Sequence, residues 1–158
     1  MSSLTDRIER TILELMEERD GFCEIARNAF AAELEVAPSQ ITYVIATRFG
    51  HRQGYVVESR RGGAGYVRIR RIPSSGGSEY LMHLVRSLSD RLSEHQARVL
   101  ADQLLSLDLI SQETAQLLQA CTSDSSLRQV DARSRDRVRS DLAANLLARI
   151  AAWGGGEE

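Results

Sequence analysis

Tyr55-Val56-Val57-Glu58-Ser59, then Arg60-Arg61-Gly62-Gly63-Ala64-Gly65, then Tyr66-Val67-Arg68-Ile69-Arg70-Arg71-Ile72 is the stretch whose reading decides the fold. Two β-rich runs flank a cluster with glycine at 62, 63 and 65, a pattern that predicts a hairpin. Gly50-His51-Arg52-Gln53-Gly54 precedes it as a turn. Upstream of the turn, Ile41, Val44, Ile45 and Phe49 recur at helical spacing. Pro38 fits the first turn of that helix, where its missing N–H costs nothing. Asn28 suits the N-cap of a short helix over 29–35, joined to the next by a tight connection through Val36-Ala37. Phe22-Cys23-Glu24-Ile25 alternates like an edge strand. Leu4, Ile8, Ile12, Leu15 and Met16 mark one face of a helix over 4–18, opened by a Ser3/Asp6 capping box and broken at Gly21. Helix, short strand, helix, helix, hairpin is the order of a winged helix-turn-helix, a fold that sets the second helix of the pair in the major groove of DNA.

Pro73-Ser74-Ser75-Gly76-Gly77-Ser78 ends this unit as a linker. Everything beyond it reads as helix. Leu81, Leu84, Val85, Leu88 and Leu92 form one stripe, with Ser78 as its cap. Ser93 and Gln96 cap a second helix carrying Ala97, Leu100, Leu104 and Leu107. Ser111 opens a third through Ala115, Leu118 and Cys121, and a polar loop over 122–130 leads to a fourth with Val138, Leu142, Leu146, Ile150 and Trp153. The expected architecture is α+β: a winged helix-turn-helix domain over 1–72, a linker over 73–78, a small α-helical bundle for dimerisation or partner binding over 79–153, and a flexible tail over 154–158. An apolar stripe left on the bundle surface would favour a two-fold dimer.

Composition sets the outer bounds. The chain has 158 residues, 42% hydrophobic and 27% charged, values of an ordinary globular protein rather than a disordered one. No stretch is long and apolar enough for a membrane span, and the N-terminus lacks a signal-peptide core, so a cytoplasmic location is expected. Cys23 and Cys121 form no CxxC pair, which argues against a structural zinc or a disulfide scaffold. His51, His83 and His95 are scattered, and no phosphate loop or metal quartet occurs, so no catalytic residue, metal or cofactor is expected. All 20 basic residues are Arg. A GC-rich genome is sufficient reason, yet each is also a planar, permanent cation suited to phosphate. The net charge of −2 hides a segregation. Residues 1–40 carry 4 Arg and 9 acids (net −5), 41–72 carry 7 Arg and one acid (net +6), and 73–158 carry 9 Arg and 12 acids (net −3). A basic segment in a near-neutral chain reads as a localised anion-binding surface, with a solvated face as the plainer alternative.

On a helical wheel Ser39, Thr42, Tyr43, Ala46 and Thr47 point away from the apolar stripe, with Gln40 on its flank. Short polar groups approach base edges, and Gln suits a bidentate contact with adenine. No acid occurs from 38 to 57. Arg48 lies at the edge of the stripe, where it either reaches a phosphate or completes the packing. At the hairpin tip, Gly62, Gly63 and Gly65 let the backbone approach a partner, and Arg60 and Arg61 beside them suit a narrow minor groove. A flexible turn is the alternative, though a turn needs only one or two glycines. Arg27 stands at a helix N-terminus, either as a phosphate contact or as an ordinary exposed Arg.

The run Val36-Ala37-Pro38-Ser39-Gln40-Ile41-Thr42-Tyr43-Val44-Ile45-Ala46-Thr47-Arg48-Phe49, followed by Arg52 to Ile69, resembles CtsR, the class-three stress-gene repressor family of low-GC Gram-positive bacteria. The similarity is strong over 4–72 and weaker through Leu109-Ile110-Ser111 and Glu113-Thr114-Ala115. It implies a homodimer that binds tandem heptanucleotide repeats in promoters of clp protease and chaperone genes and lets go during heat or protein stress. It implies that the glycine-rich wing enters the minor groove. It also implies that the arginine kinase McsB, with McsA, phosphorylates wing arginine, and that ClpC with its protease degrades the repressor. Arg61 matches the phosphorylated wing arginine and Arg27 a DNA-contacting one. The chain departs from the family at Ala64, where a fourth consecutive glycine is usual, and at Thr42, where Asn is common. Both departures bear on wing stiffness and base contacts.

The expected DNA contacts are therefore Arg27, Ser39, Gln40, Thr42, Tyr43, Thr47, Arg48 and the tip Arg60, Arg61, Gly62, Gly63, Ala64 and Gly65. Two rival classes stay open at this point. One is a repressor whose bundle senses a small ligand. The other is a winged-helix adaptor that contacts proteins and shows no salt-sensitive duplex binding.

Overall fold

The computed structural model describes residues 3–60, 65–73 and 76–153. The chain divides into two compact units, Met1–Ile72 and Pro73–Glu158. The first is built from α1 (Leu4–Glu17), β1 (Phe22–Ala26), α2 (Arg27–Leu34), α3 (Pro38–Arg48), a 3-10 turn at His51–Gln53, β2 (Tyr55–Arg60) and β3 (Tyr66–Arg71). The strands form an antiparallel sheet in the order β1-β3-β2, with Cys23 opposite Ile69 and Val57 opposite Ile69 on the other side. This is a winged helix-turn-helix.

The local chemistry explains each boundary. The capping box at α1 forms: the Ser3 hydroxyl accepts from the Asp6 N–H, and the Asp6 carboxylate accepts from the Ser3 N–H. Gly21 turns the chain into β1 at φ +86°, and a Cβ there would stand 3.1 Å from the Cβ of Arg71. Helix α2 is capped by Glu35, which takes the left-handed conformation at φ 56°. Residues 35–37 then connect it to α3. Asn28 is not a cap. Strand β1 runs through Ala26, paired with Tyr66, and passes straight into α2 at Arg27, so Asn28 already lies in the first turn. One core collects Ile8, Ile12 and Met16 of α1, Cys23 and Ile25 of β1, Phe30 of α2, Ile41, Val44 and Ile45 of α3, Phe49, and Val67 and Ile69 of β3. Burial pushes the Cys23 thiol up to about 11, so Cys23 serves this core as a small apolar group.

The second unit holds α4 (Gly76–Ser87), α5 (Glu94–Ser106), α6 (Gln112–Thr122) and α7 (Arg135–Trp153). Helix α4 packs on α7, α7 on α6, and α6 on α5. The bounds of the first of these helices differ from the sequence reading. The helix begins at Gly76, inside the expected linker, and Ser78 is not its cap but a buried residue whose hydroxyl donates to the Ala151 carbonyl at 2.7 Å. Burial of Leu81, Met82 and Val85 holds a helical turn that the Gly-Gly-Ser composition disfavours. Leu92 lies beyond the helix, buried with Ala97 and Ala143, and its N–H donates to Asp136 at 3.0 Å. Arg139 is 1% exposed at the centre of a polar knot. It donates to the carbonyls of Thr122 (2.6 Å) and Leu92 (2.9 Å) and pairs with Asp136 (2.6 Å) and Asp124. Among the described residues, no helix is long and apolar enough to cross a membrane.

Candidate nucleic-acid interface

Helix α3 seats Ile41, Val44 and Ile45 in the core and turns Ser39, Thr42, Tyr43, Ala46 and Thr47 to solvent, with Gln40 half-buried between the two sides. Tyr43 is 57% exposed, a large ring left uncovered on an otherwise short-chained face. The two threonines spend their hydroxyl protons on the helix itself. Thr42 donates to the Pro38 carbonyl at 3.3 Å and Thr47 to the Tyr43 carbonyl at 2.8 Å. Each thus presents a methyl group and acceptor lone pairs outward, a set suited to thymine methyl and base amino groups.

Arg27 opens α2, half-buried, and its Nη2 donates to the Ser59 hydroxyl of β2 at 3.2 Å. Its Nε is buried and donates to no acceptor among the described residues. The bond to Ser59 ties the α2 N-terminus to the end of β2, one residue before Arg60. Arg60 is exposed and stands opposite Tyr66 in the ladder. Gly65 is half-buried. Arg61, Gly62, Gly63 and Ala64 lie outside the described residues.

Arg48 is ion-paired with α1. Its Nη1 sits 2.8 Å from Glu9 Oε2 and 3.5 Å from Asp6 Oδ1, both on α1. Seven residues after Ile41 it leaves α3 on the same side as the apolar stripe, about two turns on. It therefore completes the packing of α3 on α1 and is not among the groups on the outward face. Hydrogen bonds from the Ser3 backbone and side chain, followed by the charges of Arg48 and Arg10, hold Asp6 below its ordinary carboxylate value. Arg68 is likewise occupied. It lies 2.9 Å from Glu24 Oε2 and stacks over the Tyr66 ring at 4.8 Å, and the Glu24 bond first, then Tyr66, raises its pKa. Acids from residues 1–40 thus neutralise part of the basic segment in space, which the charge pattern along the chain conceals. Sequence reasoning also missed Ser59, whose only signal is its contact with a residue 32 positions away.

Residues 3–73 match the CtsR N-terminal HTH domain and residues 76–148 the CtsR C-terminal dimerization domain. The chain belongs to the CtsR family. Its CtsR relatives include the transcriptional regulator CtsR of Staphylococcus haemolyticus (strain JCSC1435), 36% identical over 95% of this chain and 98% of that one. The transcriptional regulator CtsR of Staphylococcus aureus (strain USA300) is 37% identical over the same shares. Among solved structures, the chain is similar to CtsR crystallised with a 26-bp DNA duplex, with a TM-score of 0.51 and 30% identity over 94% of this chain and 99% of that one. CtsR proteins are transcriptional regulators rather than enzymes.

Proposed function

We propose that the chain is a repressor that binds double-stranded promoter DNA as a homodimer at tandem repeats, ahead of heat-shock genes for clp proteases and chaperones. The observation that carries this reading is the acid-free outward face of α3, in a chain that matches, over 94% of its length, a CtsR crystallised with a 26-bp DNA duplex. Ser39, Gln40, Thr42, Tyr43 and Thr47 read base edges from the major groove. Arg27 holds a phosphate. Arg60, Arg61, Gly62, Gly63, Ala64 and Gly65 form the wing in the minor groove, where a slim backbone and planar cations fit a narrow, electronegative channel. Residues 1–72 do the reading and residues 79–153 the pairing. Exposed apolar side chains on the second unit, Val99 and Leu117 among them, support a protein contact there.

Release follows loss of the wing's grip. Heat acts because ordering a glycine-rich tip on DNA costs entropy, a cost that grows with temperature. Phosphorylation of Arg61 acts by replacing a cation with an anionic group, which phosphate repels. McsB, McsA and ClpC are the proposed protein partners and the cytoplasm the proposed location. Gel shifts on a duplex carrying the tandem repeats of a clp promoter, at two salt concentrations and two temperatures, test the reading. Binding is expected to weaken with both. Arg61→Ala is expected to bind less tightly, with a salt dependence flatter by about one unit per wing. Arg61→Ala binding as tightly as the unaltered chain sinks the wing role, and absence of duplex binding sinks the repressor.

A further inference from the structure

We propose that the first turns of α1 form a bracket that sets the angle between α2 and α3, with Asp6, Arg7, Glu9 and Arg48 as positioning residues for base readout. The inference rests on the DNA-binding reading above. Three side chains within four positions of α1 reach the C-terminal ends of both helices of the helix-turn-helix. Arg7 Nη2 donates to the carbonyl of Leu34, the last residue of α2, at 2.7 Å. That carbonyl is one of those a helix end leaves without an internal partner. Glu9 and Asp6 hold Arg48 in the last turn of α3, at 2.8 and 3.5 Å.

Asp6 is itself fixed. One carboxylate oxygen accepts from the Ser3 N–H at 3.1 Å, and the other faces Arg48. The capping box that starts α1 is therefore the same group that anchors α3. The apolar contacts among Ile8, Ile12, Ile41 and Val44 hold the two helices together and set their coarse crossing angle. The bonds at the helix ends are directional and add a finer restraint. Base readout depends on where the outward face of α3 points, whereas phosphate attraction depends mainly on how many cations reach the backbone. Arg48 leaves α3 on the side away from that outward face, so its contribution is to orientation and not to charge at the DNA.

The pair is partly exposed, with side chains 41% and 30% accessible, and such pairs add little to stability. Its removal is therefore expected to leave the chain folded. The variant Arg48→Gln with Glu9→Gln keeps the net charge of the full-length protein constant. Dissociation constants are measured over a salt series on two probes, a duplex enriched by selection from a randomised pool with the unaltered chain, and the unselected pool. The expected result is unchanged affinity and salt slope on the unselected pool and a selected-to-unselected ratio reduced about five- to tenfold. The exchanged pair Arg48→Glu with Glu9→Arg is expected to recover part of the ratio, and Arg48→Lys to give an intermediate one. A slope flatter by about 0.9 per protomer, with equal loss on both probes, assigns Arg48 to a phosphate and overturns the bracket. An unchanged ratio with only a lower melting temperature overturns it too. No salt-dependent binding of the unaltered chain to either probe removes the DNA reading, and the bracket's role with it, by a distinct signature.

Discussion

Arg27 gains its place from a contact no spacing rule contains. Its position at a helix start is visible in the chain, but the bond that aims it comes from Ser59, across the fold. Replacing Arg27 by Gln is expected to weaken duplex binding uniformly across sequences and to flatten the log–log salt slope by about 0.9 per protomer. Ser59→Ala is expected to shift binding in the same direction by less, since the charge remains and only its aim is lost. Fluorescence anisotropy over a salt series checks both, and an unchanged slope for the Gln variant removes Arg27 from the phosphate contacts. Arg139 was less legible still. An Arg near the start of a mixed helix reads as solvated, and only the fold shows it buried beneath two loops. The cost of burying it is offset because its donors meet two carbonyls and two carboxylates. Arg139→Met leaves Asp124 and Asp136 free to rehydrate, as both are about half exposed. It still orphans the carbonyls of Leu92 and Thr122. A loss of about 2–3 kcal/mol is expected in urea unfolding of the full chain, and a change below about 0.5 kcal/mol contradicts the role given to the knot.

At the scale of elements, the helices and strands of the first unit were readable because propensity, periodicity and capping agree: Ser3 with Asp6, Pro38 at a first turn, and alternation in β3. The start of α4 was not, because Gly76-Gly77-Ser78 is helical only through what Ser78 and Leu81 meet on α7 and in the surrounding core. Local composition argued one way and tertiary packing the other. In the proposed release mechanism, the wing is the element on which the temperature response depends. Ala64 replaces a residue type with more backbone freedom, so less entropy is lost when this tip is ordered than a four-glycine tip would lose. Ala64→Gly is expected to release the operator duplex at a lower temperature than the unaltered chain, with the affinities converging on cooling. Binding curves at matched salt from 20 °C upward check this, and an equal or higher release temperature for the Gly variant removes wing entropy from the heat response.

For the whole molecule, the number of cations free to meet DNA follows from the fold and not from the count along the chain. Residues 41–72 contain seven Arg, an apparent basic stripe. Glu9 and Asp6 occupy Arg48, Glu24 occupies Arg68, and Arg52 in the 3-10 turn also has a partner, while Arg70 and Arg71 stand at the end of the ladder opposite to Arg60. Arg27 joins from outside the segment. On the proposed reading, the cations that neutralise DNA charge are Arg27 and the wing's Arg60 and Arg61 in each protomer, or six in a dimer. Counterion release at about 0.9 per contact predicts a slope near −5 for log affinity against log salt. If Arg48 and Arg68 also reached the backbone, ten contacts would give a slope near −9. The two values are well separated in an anisotropy titration of the dimer between 50 and 300 mM salt. A slope near −9 contradicts the ion pairs as they stand on DNA, and one near −2 leaves too few contacts for the wing and Arg27 together. A slope near −5 that drops by about two units in the Arg61→Ala dimer is the outcome that joins this charge distribution to the proposed wing.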